Sequence, residues 1–174
     1  MGKHVEYRPE WVREDFIDFL AEKVNPLWAW KKSKARIVAK HHLSDDFVHM
    51  QLQPNHHFKA TDYQAGQSIL VTVLIGGVRW QRSYSIVEIL ENGNLVVAVK
   101  QQGKVSNALT QQPVKSVVEI SQTQGEFVLK TQPHSALMIA SGSGITAIYA
   151  LIKAALKRPQ TVSNIDLIYF RCYF

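Results

Sequence analysis

Three short stretches carry side chains that could hold a phosphorylated ligand with a flat ring. The first is Arg82-Ser83-Tyr84-Ser85. Side chains alternate along an extended chain, so Arg82 and Tyr84 project to one face, and Ser85 points the other way unless the strand ends or twists there. A guanidinium makes charge-assisted hydrogen bonds to phosphate, and a phenol stacks on a heterocycle. The same four residues also suit a solvent-facing strand edge. The second stretch is Gln101-Gln102-Gly103-Lys104-Val105-Ser106-Asn107. Gly103 lets backbone approach a ligand closely. Ser106 can cap a following helix. The free N–H groups of that helix start attract an anion, and Lys104 adds positive charge. Taken alone, it reads equally as an ordinary capped turn. The third is Ala140-Ser141-Gly142-Ser143-Gly144-Ile145-Thr146-Ala147. A Gly-x-Gly between an apolar run and a helical pattern is a phosphate-cradling arrangement. No Gly-Lys-Ser/Thr follows, so it is not a P-loop, and a plain tight turn is the alternative.

The elements that must position these stretches follow from hydrophobic period and turn residues. Ala35–Lys40, Phe47–Gln53, Ser68–Ile75, Val78–Val87, Asn94–Lys100, Val117–Ser121 and Glu126–Lys130 read as short strands. Gly76-Gly77 and Asn92-Gly93 mark tight turns between them. Ser106–Gln111 is a short helix stopped by Pro113. These seven short runs at such spacing predict a small antiparallel barrel of about six strands. From about Gln132 the pattern changes. Ala136–Ala140 is an apolar strand, Ile145–Leu156 a helix and Ile165–Phe170 a second apolar strand. Strand, glycine turn, helix and strand form one βαβ unit, the start of a parallel sheet. Before the barrel, Pro9-Glu10-Trp11 opens a helix whose Phe16, Phe19, Leu20 and Val24 make one apolar stripe, ended by Asn25-Pro26. That arm either packs on the barrel or presents a surface to a partner. The expected organisation is therefore an extension over 1–33, a barrel over 34–131 and an α/β segment over 132–174.

Composition narrows the chemistry. The 174 residues carry 20 basic and 14 acidic side chains, a net charge of +6 that favours anionic partners. A single cysteine, Cys172, excludes an internal disulfide, a four-cysteine zinc site and a self-contained iron–sulfur cluster. No run approaches the roughly 20 apolar residues of a membrane span. The N-terminus lacks an apolar signal core, so a cytoplasmic location is expected. His41-His42 and His56-His57 are adjacent pairs that point to opposite faces of an extended chain, so no metal site is expected from them.

Together the three stretches closely resemble the ferredoxin–NADP reductase family. Ala65-Gly66-Gln67-Ser68 resembles its barrel-strand Pro-Gly-Gln segment, and Gln124-Gly125-Glu126-Phe127 its Gly-x-Phe closing segment. The N-terminal helix with Asn25-Pro26-Leu27-Trp28 resembles bacterial reductases that carry a C-terminal [2Fe–2S] domain. The resemblance implies a six-stranded antiparallel Greek-key barrel that binds FAD, followed by a nucleotide-binding domain. It implies that Arg82 binds the FAD pyrophosphate, Tyr84 stacks on the isoalloxazine ring, and Ser85, the catalytic candidate, hydrogen-bonds near flavin N5. Ser83 and Lys100 join the cofactor-binding set. Gly103, Lys104, Val105 and Ser106 would hold the FAD phosphates. Gly142, Ser143, Gly144 and Thr146 would meet NAD(P)H, with Thr146 near the flavin. The implied chemistry is hydride transfer to flavin and single-electron delivery to an iron–sulfur or other acceptor.

Departures from the family pattern set further expectations. Ala147 stands where the family has Pro, and Tyr169-Phe170-Arg171-Cys172 resembles its Tyr-x-Ala-Arg segment with one residue fewer. The four cluster cysteines are absent, so no [2Fe–2S] centre is expected in this chain. The family's nucleotide domain runs on past the point where this chain stops, which implies FAD binding with weak or lost turnover. A lone βαβ unit leaves Ile139, Ile148, Leu151 and Ile168 short of partners and predicts self-association through 136–174. Two rivals remain at this stage. A basic barrel could bind single-stranded nucleic acid by stacking on Trp80, Tyr84 and Phe58. A flavin-holding module without turnover differs only in its inability to oxidise NAD(P)H.

Overall fold

The computed structural model describes residues 20, 23–28, 32–129, 135–157 and 164–170. The stripe residues Phe16 and Phe19, as well as Lys130, Arg171 and Cys172, lie outside the described residues. Six strands close into a barrel: β1 (Lys34–His42), β2 (Phe47–Pro54), β3 (Ser68–Ile75), β4 (Val78–Ile89), β5 (Leu95–Lys100) and β6 (Val117–Ile120). Their order around the barrel is β1-β2-β5-β4-β3-β6, and every pairing is antiparallel. Closure removes the exposed edges that a six-stranded sheet would otherwise offer.

Alternating apolar residues fill the barrel. Ile37, Met50, Leu52, Ile69, Val71, Ile86, Leu95, Val97 and Val99 are fully buried. Each strand sends every second residue inward, which is why the period-two pattern located the strands. Gly76 and Gly77 both have positive φ, the conformation that a two-residue hairpin between β3 and β4 requires. The register shifts between Ile86 and Glu88 on β4, a bulge where the Tyr63 hydroxyl donates to the Ile86 carbonyl at 2.9 Å. Burial pushes the Tyr63 phenol up to about 12, so it stays a donor there.

Helix α1 (Lys104–Gln111) packs against β3, β4 and β5 and buries Val105 and Leu109 in the barrel core. It begins two residues earlier than the sequence predicts. Ser106 does not start the helix; it sits in the first turn and reaches back. Its hydroxyl accepts from the Gly103 amide at 3.0 Å and the Gln102 amide at 3.2 Å. That is the return half of a capping box, so the serine signal marks the right turn at the wrong position.

Of the strand expected over Glu126–Lys130, the described part, Glu126–Leu129, does not form. Gln124 makes one isolated bridge to Ser68, with both amides exchanged at 2.9 Å. Gly125 then takes φ +107° and the chain leaves the sheet. Beyond that bridge it meets Gly66 instead. A β-carbon on Gly66, whose φ is +95°, would collide with the Phe127 carbonyl oxygen.

The second unit is small. Strands β7 (Ser135–Ser141) and β8 (Asn164–Phe170) pair in parallel in full register, and α2 (Ile145–Leu156) crosses between them. Met138, Ala140, Ile148 and Leu151 form its core with Ala65 from the barrel side. Ile148 and Leu151 are buried, contrary to expectation, because α2 lies between the two-stranded sheet and β4 of the barrel. Ile139 and Ile168 remain exposed as expected, together with Leu137, Leu167 and Phe170. The tail of the N-terminal arm is pinned to the barrel. Asn55 Nδ2 donates to the Leu27 carbonyl at 3.2 Å, and Lys34 Nζ to the Pro26 carbonyl at 3.3 Å. No described helix is long and apolar enough to cross a membrane.

Candidate flavin nucleotide site

Strand β4 pairs with β3 so that Trp80, Arg82 and Tyr84 stand opposite Val73, Val71 and Ile69. Paired residues share a face, so these three side chains lie on the same side as the core of β3, where α1 covers the barrel. Between them and the α1 loop runs a cleft of about 410 Å³. Its lining comprises Trp80, Arg82, Ser83 and Tyr84 from β4, Gln102–Ser106 from the loop and helix start, and Ser143 from the glycine turn. Three stretches remote in sequence thus meet at one place.

The electrostatics suit an anion. The first turn of α1 has no acidic residue, and the amides that open a helix have no partner within it. Lys104 at the first helical position opposes the helix dipole, an arrangement that costs the isolated helix a few tenths of a kcal/mol and favours a negative ligand. Its Nζ stands 4.6 Å from the centre of the Trp80 ring. Arg82 is exposed, and its Nη1 donates to the Gln81 carbonyl at 2.9 Å, leaving further guanidinium donors to face the cleft.

Two buried polar atoms have no hydrogen-bond partner among the described residues: the Trp80 indole nitrogen and the Tyr84 hydroxyl. Both belong to cleft-lining residues. Such orphans cost about 1–3 kcal/mol each unless a ligand satisfies them. Burial pushes the Tyr84 phenol up, the nearby Arg82 guanidinium opposes that, and the net shift is upward. Tyr84 is therefore a neutral donor at ordinary pH. A ring-bearing diphosphate fits this set: stacking surfaces, cations, free amides and unpaired donors. Gly103 adds room, since a β-carbon there would meet nothing within 4 Å.

Not every expected site residue faces this cleft. Ser85 is half-buried on the opposite face of β4 and pairs with Ser68 across the strands. Lys100 ends β5 with its Nζ 3.8 Å from the Asp46 carboxylate, away from the cleft lining. Gly142 takes φ +52°, and its carbonyl accepts from the Tyr169 hydroxyl at 3.4 Å. Thr146 is buried, and its hydroxyl donates to the Ser143 carbonyl at 2.9 Å. It lines a separate apolar groove of about 270 Å³ with Ile145, Tyr149, Leu43, Phe47 and His49. Burial, with His41 and Lys153 nearby, holds His49 below the usual imidazole range. Phe58, offered above for nucleic-acid stacking, is sealed in the barrel core and has no face to give. Trp80, read from the sequence only as a nucleic-acid stacking residue, and Gln102, named there without a role, also line the cleft. The signal for Trp80 was strand parity, two residues before Arg82.

Comparison with known proteins agrees with this geometry. Residues 34–129 match the model of the oxidoreductase FAD-binding domain. The chain is 31% identical over 153 residues to an NADPH oxidoreductase of Mycobacterium tuberculosis, covering 82% of this chain and 40% of that protein. It is 29% identical over 145 residues to NADH-cytochrome b5 reductase 1 of Cryptococcus neoformans, covering 80% of this chain and 48% of the relative. It shares its fold with the flavohem-like FAD/NAD-binding domain of nitric oxide dioxygenase from Vibrio cholerae. That match has a TM-score of 0.71 and 22% identity, and covers 82% of this chain and 64% of that one. The chain therefore spans less than half the length of these two curated relatives. With the barrel matched over residues 34–129 and the cleft built on it, this chain belongs to the oxidoreductase FAD-binding domain family.

Proposed function

We propose that this chain holds FAD in the cleft between β4 and the α1 loop, as the flavin-binding part of an NAD(P)H-dependent oxidoreductase. The observation that carries this reading is the convergence of Arg82, Tyr84, Gly103–Ser106 and Ser143 on one cleft whose two buried donors lack partners. The barrel over 34–131 is the flavin unit, the segment over 132–174 opens the nucleotide-binding unit, and 1–33 is an extension.

Each residue has a physical task. Arg82 and Lys104 neutralise the diphosphate, and the amides of Lys104–Ser106 hydrogen-bond it at the helix start. Tyr84 stacks on the isoalloxazine ring and donates its hydroxyl to the ligand. Ser143, with Gly142, Gly144 and Thr146 behind it, shapes the side from which a nicotinamide nucleotide approaches. Ser85 and Lys100 stand at the margin of this arrangement. A catalytic part for Ser85 requires the ligand to reach round β4 to its outer face. FAD held by these residues would supply the chemistry of hydride acceptance and one-electron release; the chain itself supplies position and electrostatics. The acceptor is an iron–sulfur or other redox partner, and the working place is the cytoplasm.

The test is an FAD titration of the purified chain, read by quenching of flavin fluorescence. Saturable binding is expected, with a bound flavin spectrum. Arg82→Ala removes a charge-assisted contact worth about 1.5–3 kcal/mol, so affinity falls roughly 10- to 100-fold. A colourless protein that ignores added FAD overturns the proposal.

A further inference from the structure

Strand β1 changes parity part-way along. Ala35 and Ile37 point into the barrel, but the register slips between Ile37 and Ala39, so one extra residue is accommodated there. Beyond this bulge it is Lys40 that stands opposite the buried Met50. Paired residues share a face, so a cation takes a place on the core side of the strand. There it reaches α1. Its Nζ donates to the Thr110 carbonyl and to the Gln112 carbonyl, both at 2.8 Å. Thr110 lies in the last turn of α1 and Gln112 is its C-cap, where carbonyls have no partner within the helix. A second contact completes the clasp. The buried Thr110 hydroxyl accepts from Gln101 Nε2 at 2.8 Å. The end of α1 is thus tied to β1 and to the residue just ahead of the Gln102–Ser106 wall of the cleft.

We propose that Lys40 is a positioning residue for the flavin site: by holding the C-terminal carbonyls of α1 it fixes the axis along which the Lys104–Ser106 amides face the diphosphate. This rests on the flavin reading given above. Lys40 is not among the residues that line the cleft, so it acts through the helix and not on the ligand. The helix needs such an anchor. Its eight residues span only about 12 Å, shorter than a helix that persists on its own. Lys104 at the first position opposes the helix dipole. The direction of α1 therefore comes from its tertiary contacts: Val105 and Leu109 in the barrel core, and Lys40 at the far end. A cation at the C-terminus complements the dipole as an anion does at the N-terminus. The ammonium and the diphosphate thus act on opposite ends of one short helix.

The experiment measures dissociation constants of the flavin-free full chain for FAD and for riboflavin, which has the same ring and no phosphate. Lys40→Met keeps the aliphatic stem and removes the ammonium, whereas Lys40→Arg keeps the charge and the donors. Lys40→Met is expected to weaken FAD roughly 5- to 30-fold and riboflavin less than about twofold, because only the phosphate-bearing ligand uses the helix start. Lys40→Arg is expected to stay within about twofold of wild type. Inorganic pyrophosphate serves as a second probe. It is expected to move the Gly103–Ser106 amide cross-peaks of the 15N-labelled chain at lower concentration in wild type than in Lys40→Met. Unchanged FAD affinity in Lys40→Met, an equal loss for FAD and riboflavin, or an arginine variant as weak as the methionine one overturns the positioning role while the flavin reading stands. A wild-type chain that binds no FAD overturns the flavin reading, and this role with it. Should Lys40→Met fail to fold, Lys40→Gln, uncharged but polar at its tip, is judged by the same comparison of FAD with riboflavin.

Discussion

Tyr84 carries a polar atom that the fold leaves unsatisfied. Its ring packs against the barrel core, yet its hydroxyl is buried without a partner. The free protein carries that desolvation cost, and a ligand removes it. Tyr84→Phe is therefore expected to act with opposite signs on two measurements. The ligand-free protein gains about 1 kcal/mol and its Tm rises, while FAD affinity falls several-fold. Thermal melts with and without FAD check both. Lys104 follows the same logic. A cation at a helix start works against the helix by itself, and only an anion at that place turns it into an advantage.

Gly66 couples the two units at the level of elements. It precedes β3, takes φ +95°, and lies so close to the next segment that any side chain would meet the Phe127 carbonyl oxygen and, at 3.1 Å, Leu151 Cδ2 on α2. The barrel, the closing segment after Gln124 and helix α2 thus meet at a residue with no side chain. Gly66→Ala imposes both a backbone penalty and a collision with main chain that cannot move aside. A loss of roughly 2–3 kcal/mol is expected, seen as a lower urea midpoint. Gly76→Ala, at a turn with open space around it, serves as the control that carries the positive φ without the collision.

At the scale of the molecule, the barrel closes, while among the described residues the second unit keeps apolar side chains in the open. Helix α2 shields one side of the β7–β8 sheet, while Leu137, Ile139, Ile168 and Phe170 stay exposed on the other. A parallel sheet is normally buried on both faces, and exposed apolar surface of this kind drives association. The isolated 174-residue chain is expected to self-associate with rising concentration. Ile139→Lys, at a side chain 57% exposed, should reduce that association without unfolding the barrel. Sedimentation velocity over a concentration series checks it, and a chain that stays monomeric throughout would refute the expectation.

The sequence by itself determined which segments are strands and where the barrel turns. Those depend on local pattern: alternation in Ser68–Ile75, the Gly76-Gly77 hairpin, and the glycine turn ahead of Ile145–Leu156. It also marked three short motifs that the fold brings to one cleft, because backbone amides and charged side chains at turns leave a readable residue pattern. It misplaced what depends on contacts between distant segments. Glu126–Lys130 has a strand-like composition, but a positive φ at Gly125 and the approach of Gly66 take the chain out of the sheet. Ile148 and Leu151 looked unpartnered because only the folded chain brings β4 beside α2. Trp80 enters the sequence reading only as a stacking residue for single-stranded nucleic acid. Only closure of the barrel and the packing of α1 set Lys104 over its ring and left its N–H without a partner. Local conformation is written residue by residue, whereas a site's extent is decided by which surfaces the barrel brings within a few ångströms of one another.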